Sequence, residues 1–274
     1  AHIWINRREI FLGKEVFMAA KSIKIAKQQT GTVWIGTSGI VLPGPKATFP
    51  REYHLESRMR YYSSLFNSLE INSSFYKIPL RATFEKWSLD VPNDFCFTIK
   101  LWREITHSKE LRYDPGHIDT FLTAAAGLGT KKGCLLVQFP GKINLDYYSQ
   151  VEQLLEQLHQ SENLDGWRIA VEFRNPGWYI GETHELMNEF GSSLVLHDNP
   201  KASNMNPNKG TGTVYLRLHG PTGNYRGSYT SEELGEKNAL IRNWVQQGRD
   251  VFVYFNNTAG AAFESAQSLR RMLL

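Results

Sequence analysis

Eight short apolar runs, segments of helical periodicity between most of them, and a length of 274 residues predict an α/β fold. The class is a single-domain (β/α)8 TIM barrel with an N-terminal extension. The runs cover residues 33–37, 68–72, 95–100, 134–139, 168–173, 193–197, 214–219 and 251–256, and at least seven end in polar or charged residues. A barrel of this kind needs about 250 residues and carries its active site at the carboxyl ends of its strands. The rival architecture, an open doubly wound sheet, is disfavoured by the number of strands. No glycine-rich dinucleotide fingerprint follows the first run either.

Helical patterns fall near residues 55–67, 82–90, 117–127, 147–159, 182–190, 231–247 and 261–274. Asn144 or Asp146 can cap the fourth, with Glu152 in its early turns. Thr230 or Ser231 opens the sixth, where Glu232 and Glu233 face a positive helix end. Residues 198–212 are rich in Asn, Pro, Gly and Lys and read as a loop with room for one helical turn. No low-complexity tract or second domain interrupts the pattern. The expected division is a basic N-terminal extension, residues 1–31, and a barrel domain, residues 32–274.

A hydrophobic fraction of 41% supports a sizeable core, and 12% aromatic residues argue against disorder. No apolar run reaches the ~20 residues of a membrane span. The apolar stretch from Ile10 is broken at Lys14 and Glu15, too soon for a signal peptide. Cys96 and Cys134 lie in predicted strands without metal-type spacing. They are expected to be reduced core residues of a cytoplasmic protein. Arg7, Arg8, Lys14, Lys21, Lys24 and Lys27, less Glu9 and Glu15, account for the whole net charge of +4. Residues 32–274 are therefore neutral overall, and global charge gives the barrel no pull on a polyanion. Residues 10–26 have the pattern of a basic amphipathic helix. Its expected role is to pack against one end of the barrel; the alternative is contact with an acidic surface or membrane.

Alternate strand residues share a face. Glu70 pairs in this way with Asn72, Thr98 with Lys100, Glu172 with Arg174, Arg217 with His219, and Tyr254 with Asn256. The fourth run ends in Gln138, Phe139 and Pro140. Such pairs on several strands predict a ring of polar groups at the barrel mouth. A structural network of mutually satisfied charges is the alternative. Several ions in one place are costly to desolvate unless they serve a function, which favours a site.

The same residues carry a family resemblance. The segments 36–39 (GTSG), 70–76 (EINSSFY), 105–107 (ITH), 171–174 (VEFR), 217–220 (RLHG) and 254–257 (YFNN) resemble those of the domain-of-unknown-function 72 family, the YecE-like proteins. The resemblance runs from about Val33 to the C-terminus. It implies a TIM barrel and no particular reaction. By similarity, Glu70, Asn72, Lys100, His107, Gln138, Glu172, Arg174, Asp198, Arg217, His219 and Asn256 occupy the family's recurrent polar positions. Two departures stand out. Ile40 takes the place of an aromatic residue after Thr-Ser-Gly, within a loop rich in Pro and Gly, and the basic extension lies outside the family pattern.

Lys100, Arg174 and Arg217 supply cations suited to a carboxylate or phosphate. Gly220, Gly223 and Gly227, with Tyr225 between them, form a loop of the kind that cradles phosphate in such barrels; a mobile surface loop is the alternative. Asn257 and Thr258 precede a helix and offer a second anion end. Glu70, Glu172, His107 and His219 are the candidates for proton transfer, with His197 a weaker one. No metal or other cofactor is expected, because interleaved Arg and Lys repel a cation. A divalent metal on Glu70, His107, Glu172, Asp198 or His219 is the minor alternative. Ser38, Ser73 and Ser74 have no nucleophile elbow around them. The expected function is an enzyme (hydrolase, isomerase or lyase) acting on a small anionic substrate. Two alternatives remain open. One is a nucleic-acid binder or phosphodiester-cleaving barrel using Tyr76, Trp102, Trp178, Tyr225 and Tyr229 for stacking. The other is a non-catalytic ligand-binding protein.

Overall fold

The structure, a computed structural model, describes residues 30–274. The proposed helix over residues 10–26 lies outside them. Among the described residues nine parallel strands are separated by helices, except that the sixth, seventh and eighth follow one another directly. They are β1 (Val33–Thr37), β2 (Ser68–Ile71), β3 (Cys96–Lys100), β4 (Lys132–Phe139), β5 (Arg168–Phe173), β6 (Ser193–Leu194), β7 (Leu196–His197), β8 (Thr213–Leu218) and β9 (Asp250–Phe255). The helices are α1 (Arg58–Leu65), α2 (Ser73–Tyr76), α3 (Arg81–Leu89), α4 (Arg103–Thr106), α5 (Gly116–Ala125), α6 (Tyr148–Gln160), α7 (Gly181–Glu189), α8 (Ser231–Gln246) and α9 (Ala262–Leu273). The strands form two sheets, ordered β1-β9-β8-β7 and β2-β3-β4-β5-β6.

Every run that reads as a strand is one, with a single difference. The sixth run is divided at Val195 into β6, which pairs with β5, and β7, which pairs with β8. The division has a local cause. The Leu194 amide donates to Asn208 Oδ1 (2.9 Å), and Asn204 Nδ2 donates to the Val195 carbonyl (3.1 Å). Side chains of the Asn-rich loop thus take backbone groups that a continuous ladder would use. The seven helical patterns become α1, α3 and α5–α9. The short α2 and α4 have no counterpart among them, because four residues hold too little periodicity to read.

Helix starts follow their side chains. Ser57 caps α1 through the Arg60 amide, and Thr230 forms a capping box with Glu233 at α8. α6 buries Val151, Leu154, Leu155 and Leu158, a stripe at helical spacing.

Strand alternation sorts the core into two sets. Ile35, Leu69, Phe97, Ile99, Leu135, Val137, Val171, Leu216 and Val253 belong to the large cluster shared with the helices. Their neighbours Cys134, Leu136, Ala170, Val195, Tyr215, Phe252 and Tyr254 form a second cluster, flanked by Trp34 and Cys96. Both cysteines are free; Cys134 is buried in the core, whereas Cys96 is partly exposed at its edge. At the amino ends of the strands Trp34 stacks on Phe252 at 4.6 Å, and Arg168 pairs with Asp250 at 3.1 Å. Halfway along, the Tyr254 hydroxyl bonds Ser68 Oγ (2.6 Å) and Thr98 Oγ1 (2.8 Å).

Between β1 and β2, side chains stand in for the ladder. Asn67 accepts from the Ile35 amide and donates to the Val33 carbonyl, both at 2.8 Å. The buried Tyr62 hydroxyl accepts from the Thr37 amide (2.8 Å) and donates to the Ser68 carbonyl (3.1 Å). Gly36 makes room for this bridge: a Cβ there would lie 2.0 Å from the Ser68 oxygen and 2.7 Å from the Tyr62 hydroxyl. Tyr62→Phe should orphan two buried backbone groups, at about 1–3 kcal/mol each. Chemical denaturation would read this as a lower midpoint; an unchanged midpoint would mean that the hydroxyl is dispensable at this seam.

Candidate active site

The polar residues at the carboxyl strand ends meet as a continuous chain of ion pairs and hydrogen bonds. Glu70, on β2, is fully buried and accepts from Arg217 Nε (3.0 and 3.2 Å) and Nη2 (2.8 Å), and from the Tyr215 hydroxyl (2.5 Å). Arg217, on β8, also donates through Nη1 to Glu172 Oε2 on β5 (3.1 Å). The other Glu172 oxygen pairs with Arg174 Nε. Arg174 Nη2 then donates to His219 Nε2 at 2.8 Å. Guanidinium has no acceptor, so His219 Nε2 carries no proton and the ring is the Nδ1–H tautomer. That Nδ1 lies 3.5 Å from Asp198 Oδ1, too long for a good hydrogen bond, while the His219 amide donates to the same oxygen at 2.7 Å. Asp198 Oδ2 takes the Tyr229 hydroxyl, and the Gly220 amide donates to that hydroxyl's oxygen at 2.6 Å.

Burial acts to raise the carboxyls of Glu70 and Glu172, and the arginines outweigh it. Arg217 holds Glu70 below the usual carboxylate range; Arg174 and Arg217 hold Glu172 well below it. Both are therefore ionised, which suits neither as a proton donor. Burial also acts to raise Asp198, and its bonds to His219 and Tyr229 bring it down. Burial lowers His219 despite the attraction of Asp198, so the imidazole is neutral.

A second group lies on β3 and β4. Lys100 Nζ donates to Gln138 Oε1 (2.7 Å) and sits 3.9 Å from the centre of the Phe75 ring. Burial, with the nearby charge of Arg217, lowers Lys100 to about 7 against the pull of Glu172 and Glu70. His107 packs edge-on against the same Phe75 ring at 4.8 Å, and its Nδ1 is 2.9 Å from Thr106 Oγ1. Burial, then Lys100, lowers it to about 4. Asn72 Oδ1 is buried with no hydrogen-bond partner, and Asn256 is buried at the end of β9.

Tyr225 is partly exposed in the left-handed region (φ 60°) and meets the His219 ring edge-on at 5.4 Å. A cavity of about 350 Å³ opens beside it, lined by Arg174, Asn199, Lys201, Asn224 and Tyr225. The loop amides of Gly220, Gly223 and Tyr225 are engaged with Tyr229, the Gly220 carbonyl and the His219 carbonyl. They are not turned toward an anion as the glycine pattern suggests. Trp178 is fully buried, with its indole N–H on the Ile143 carbonyl (2.8 Å), and Tyr229 is buried on Asp198; neither can stack on a base. Tyr215 and Tyr179 were not foreseen as site residues. Tyr215 was within reach, being two residues before Arg217 on the same face. Tyr179, whose hydroxyl is 2.6 Å from His197 Nε2, had no such signal.

Among the described residues no group of three or more His, Cys, Asp or Glu is placed to hold a metal ion. The two central carboxylates are occupied by arginine. No helix among those residues is long and apolar enough to cross a membrane.

Parallel strands alternating with helices, and a buried polar cluster at the carboxyl strand ends, define an α/β protein with a candidate active site where that architecture places one. The chain belongs to the family described as Protein of unknown function DUF72, whose model matches residues 34–274. It is 26% identical over 262 residues to the UPF0759 protein YunF of Bacillus subtilis strain 168, covering 82% of this chain and 88% of YunF. It is also 26% identical over 129 residues to the UPF0759 protein YecE of Escherichia coli K12, covering 46% and 45%. A DUF72 family protein from Thermotoga maritima MSB8 superposes with a TM-score of 0.69 at 25% identity, covering 88% of this chain and 99% of that one. Another, from Enterococcus faecalis V583, has a TM-score of 0.73 at 22% identity, covering 88% and 95%, a likeness of fold.

Proposed function

We propose that this protein is an enzyme for a small carboxylated or phosphorylated substrate, working at the mouth of a closed (β/α)8 barrel formed by residues 32–274. Three features support closure. The two sheets share the Ser193–His197 run. Ser38 bridges Glu70 between β1 and β2, beside the Asn67 and Tyr62 links. Side chains from opposite sheets meet as Glu70–Arg217 and Tyr254–Thr98.

The observation that carries the functional reading is the setting of Arg174. Its side chain is 15% exposed, anchored by Glu172 and His219, and it lines the cavity together with Lys201. A fork held this way is preorganised for a planar anion. The cavity volume suits a small metabolite. Arg217, whose donors are taken by two carboxylates, sets the position of Glu172 and makes no direct substrate contact. His219, neutral between Asp198 and Arg174, is the candidate proton carrier, and ionised Glu172 holds Arg174 in place.

A thermal-shift comparison tests this. Inorganic phosphate, malate, citrate and 3-phosphoglycerate would be compared with short single- and double-stranded oligonucleotides. A small anion should raise the melting temperature of the wild type, and Arg174→Ala should lose the shift. A shift with oligonucleotides alone would overturn the small-anion reading.

A further inference from the structure

We propose that Lys100 is a nucleophilic lysine whose Nζ condenses with the carbonyl carbon of an aldehyde or ketone bearing the anionic group seated on Arg174. The inference deepens the function proposed above and rests on its anion seat.

Lys100 lacks an ion-pair partner among the described residues, although it is only 9% exposed at the carboxyl end of β3. The buried carboxylates of the cluster, Glu70 and Glu172, are consumed by Arg217 and Arg174. Its contacts are a neutral amide oxygen, Gln138 Oε1, and the face of Phe75. A buried ammonium with so little compensation sheds its proton. The amine titrates near 7 as a result, and a substantial fraction carries a free lone pair at neutral pH. Lys131 provides the contrast. Burial lowers it too, but its Nζ is held by two backbone carbonyls, those of Ser88 and Val91, the arrangement of a structural lysine.

Gln138 orients the amine by accepting one N–H. Asn72, whose Oδ1 is buried without a hydrogen-bond partner, directly follows β2, the strand next to β3. In the reaction the Nζ lone pair attacks the carbonyl carbon and the C–N bond forms. The C=O pair moves to oxygen, which takes a proton. The C–O bond then breaks, and the two amine hydrogens leave with the carbonyl oxygen as water. The product is an imine, formed without oxidant or reductant. Gln138 stands opposite Glu172 in the β4–β5 register, and Glu172 holds Arg174, so the implied substrate class is a carbonyl compound that also carries a carboxylate or phosphate.

Reductive trapping decides the matter. The protein would be incubated with pyridoxal 5′-phosphate, glyoxylate or pyruvate, with acetaldehyde as the uncharged control, in the presence of cyanoborohydride, and the adducts mapped by peptide mass spectrometry. Lys100 should be labelled at least ~10-fold faster than the median lysine, because an ordinary amine with a pKa near 10.4 is almost wholly protonated at pH 7. The rate should rise with pH through about 7 and then level off. Arg174→Ala should slow trapping of the anionic probes and leave acetaldehyde unaffected. Labelling of Lys100 no faster than of other lysines in the wild type overturns the proposal, and that readout needs no variant to fold. If small anions still give the Arg174-dependent thermal shift, the anion seat survives that failure. Trapping of Lys100 with no preference for anionic carbonyls overturns the substrate class and the link between Lys100 and the Arg174 seat, while the thermal shift continues to decide the seat itself.

Discussion

Glu70→Gln should cost roughly 3–5 kcal/mol of unfolding free energy, because it removes the charge that balances a buried guanidinium. Three of the bonds made by Arg217 end on Glu70, and both side chains are almost completely excluded from solvent. The second variant, Glu70→Gln with Arg217→Met, removes both charges and should recover much of the loss, since it leaves no unpaired ion. Urea denaturation of the wild type and both variants measures the effect. A single-variant loss below about 1 kcal/mol would mean that water reaches the pair.

The same carboxylates set the acid limit. The folded-state pKa of Glu70 is lowered from 4.5 and that of Glu172 is lowered further. Their contribution is therefore fully present above about pH 4.5 and is lost as the pH falls through the folded values. Glu172→Gln should flatten the decline in stability below pH 4.5 relative to the wild type.

Gly220→Ala should destabilise the protein by about 3 kcal/mol or more and dismantle the Asp198 corner of the site. Gly220 has φ 102°, and an added Cβ would lie 2.2 Å from the backbone oxygen of Arg226. No side-chain rotation relieves a backbone clash, so the loop must move. Its amide would then leave the Tyr229 hydroxyl, which anchors Asp198 beside His219. Gly235→Ala is the control. It lies in α8 with nothing within 4 Å of the added carbon, and should stabilise by about 0.5–1 kcal/mol. Equal, small effects of the two substitutions would show that the loop after β8 tolerates rearrangement.

The alternation of residues along each strand was enough to place Glu70, Lys100, Glu172 and Arg217 at one end and on one face, and to locate the capped helices between them. Both signals are local. A face is decided by neighbours two residues away, and a helix start by side chains within one turn. The partners of those residues were not legible in the same way. Glu70 and Arg217 stand 147 positions apart, so which carboxylate each arginine neutralises depends on how distant strands come together. That pairing makes Arg217 the counter-ion of Glu70 and Glu172, with Arg174 at the cavity. It also left Lys100 buried without a carboxylate. The glycines after β8 likewise announced an unusual turn, while the destination of their amides was settled by Tyr229 and by the loop's own carbonyls. The order of strands and helices, the residues of the inner face and the end that carries the polar groups are readable from the chain because they depend on backbone periodicity and capping. Which charges cancel and which stay unmatched is settled in the folded chain, because Coulomb and desolvation energies depend on distances and burial that exist nowhere else.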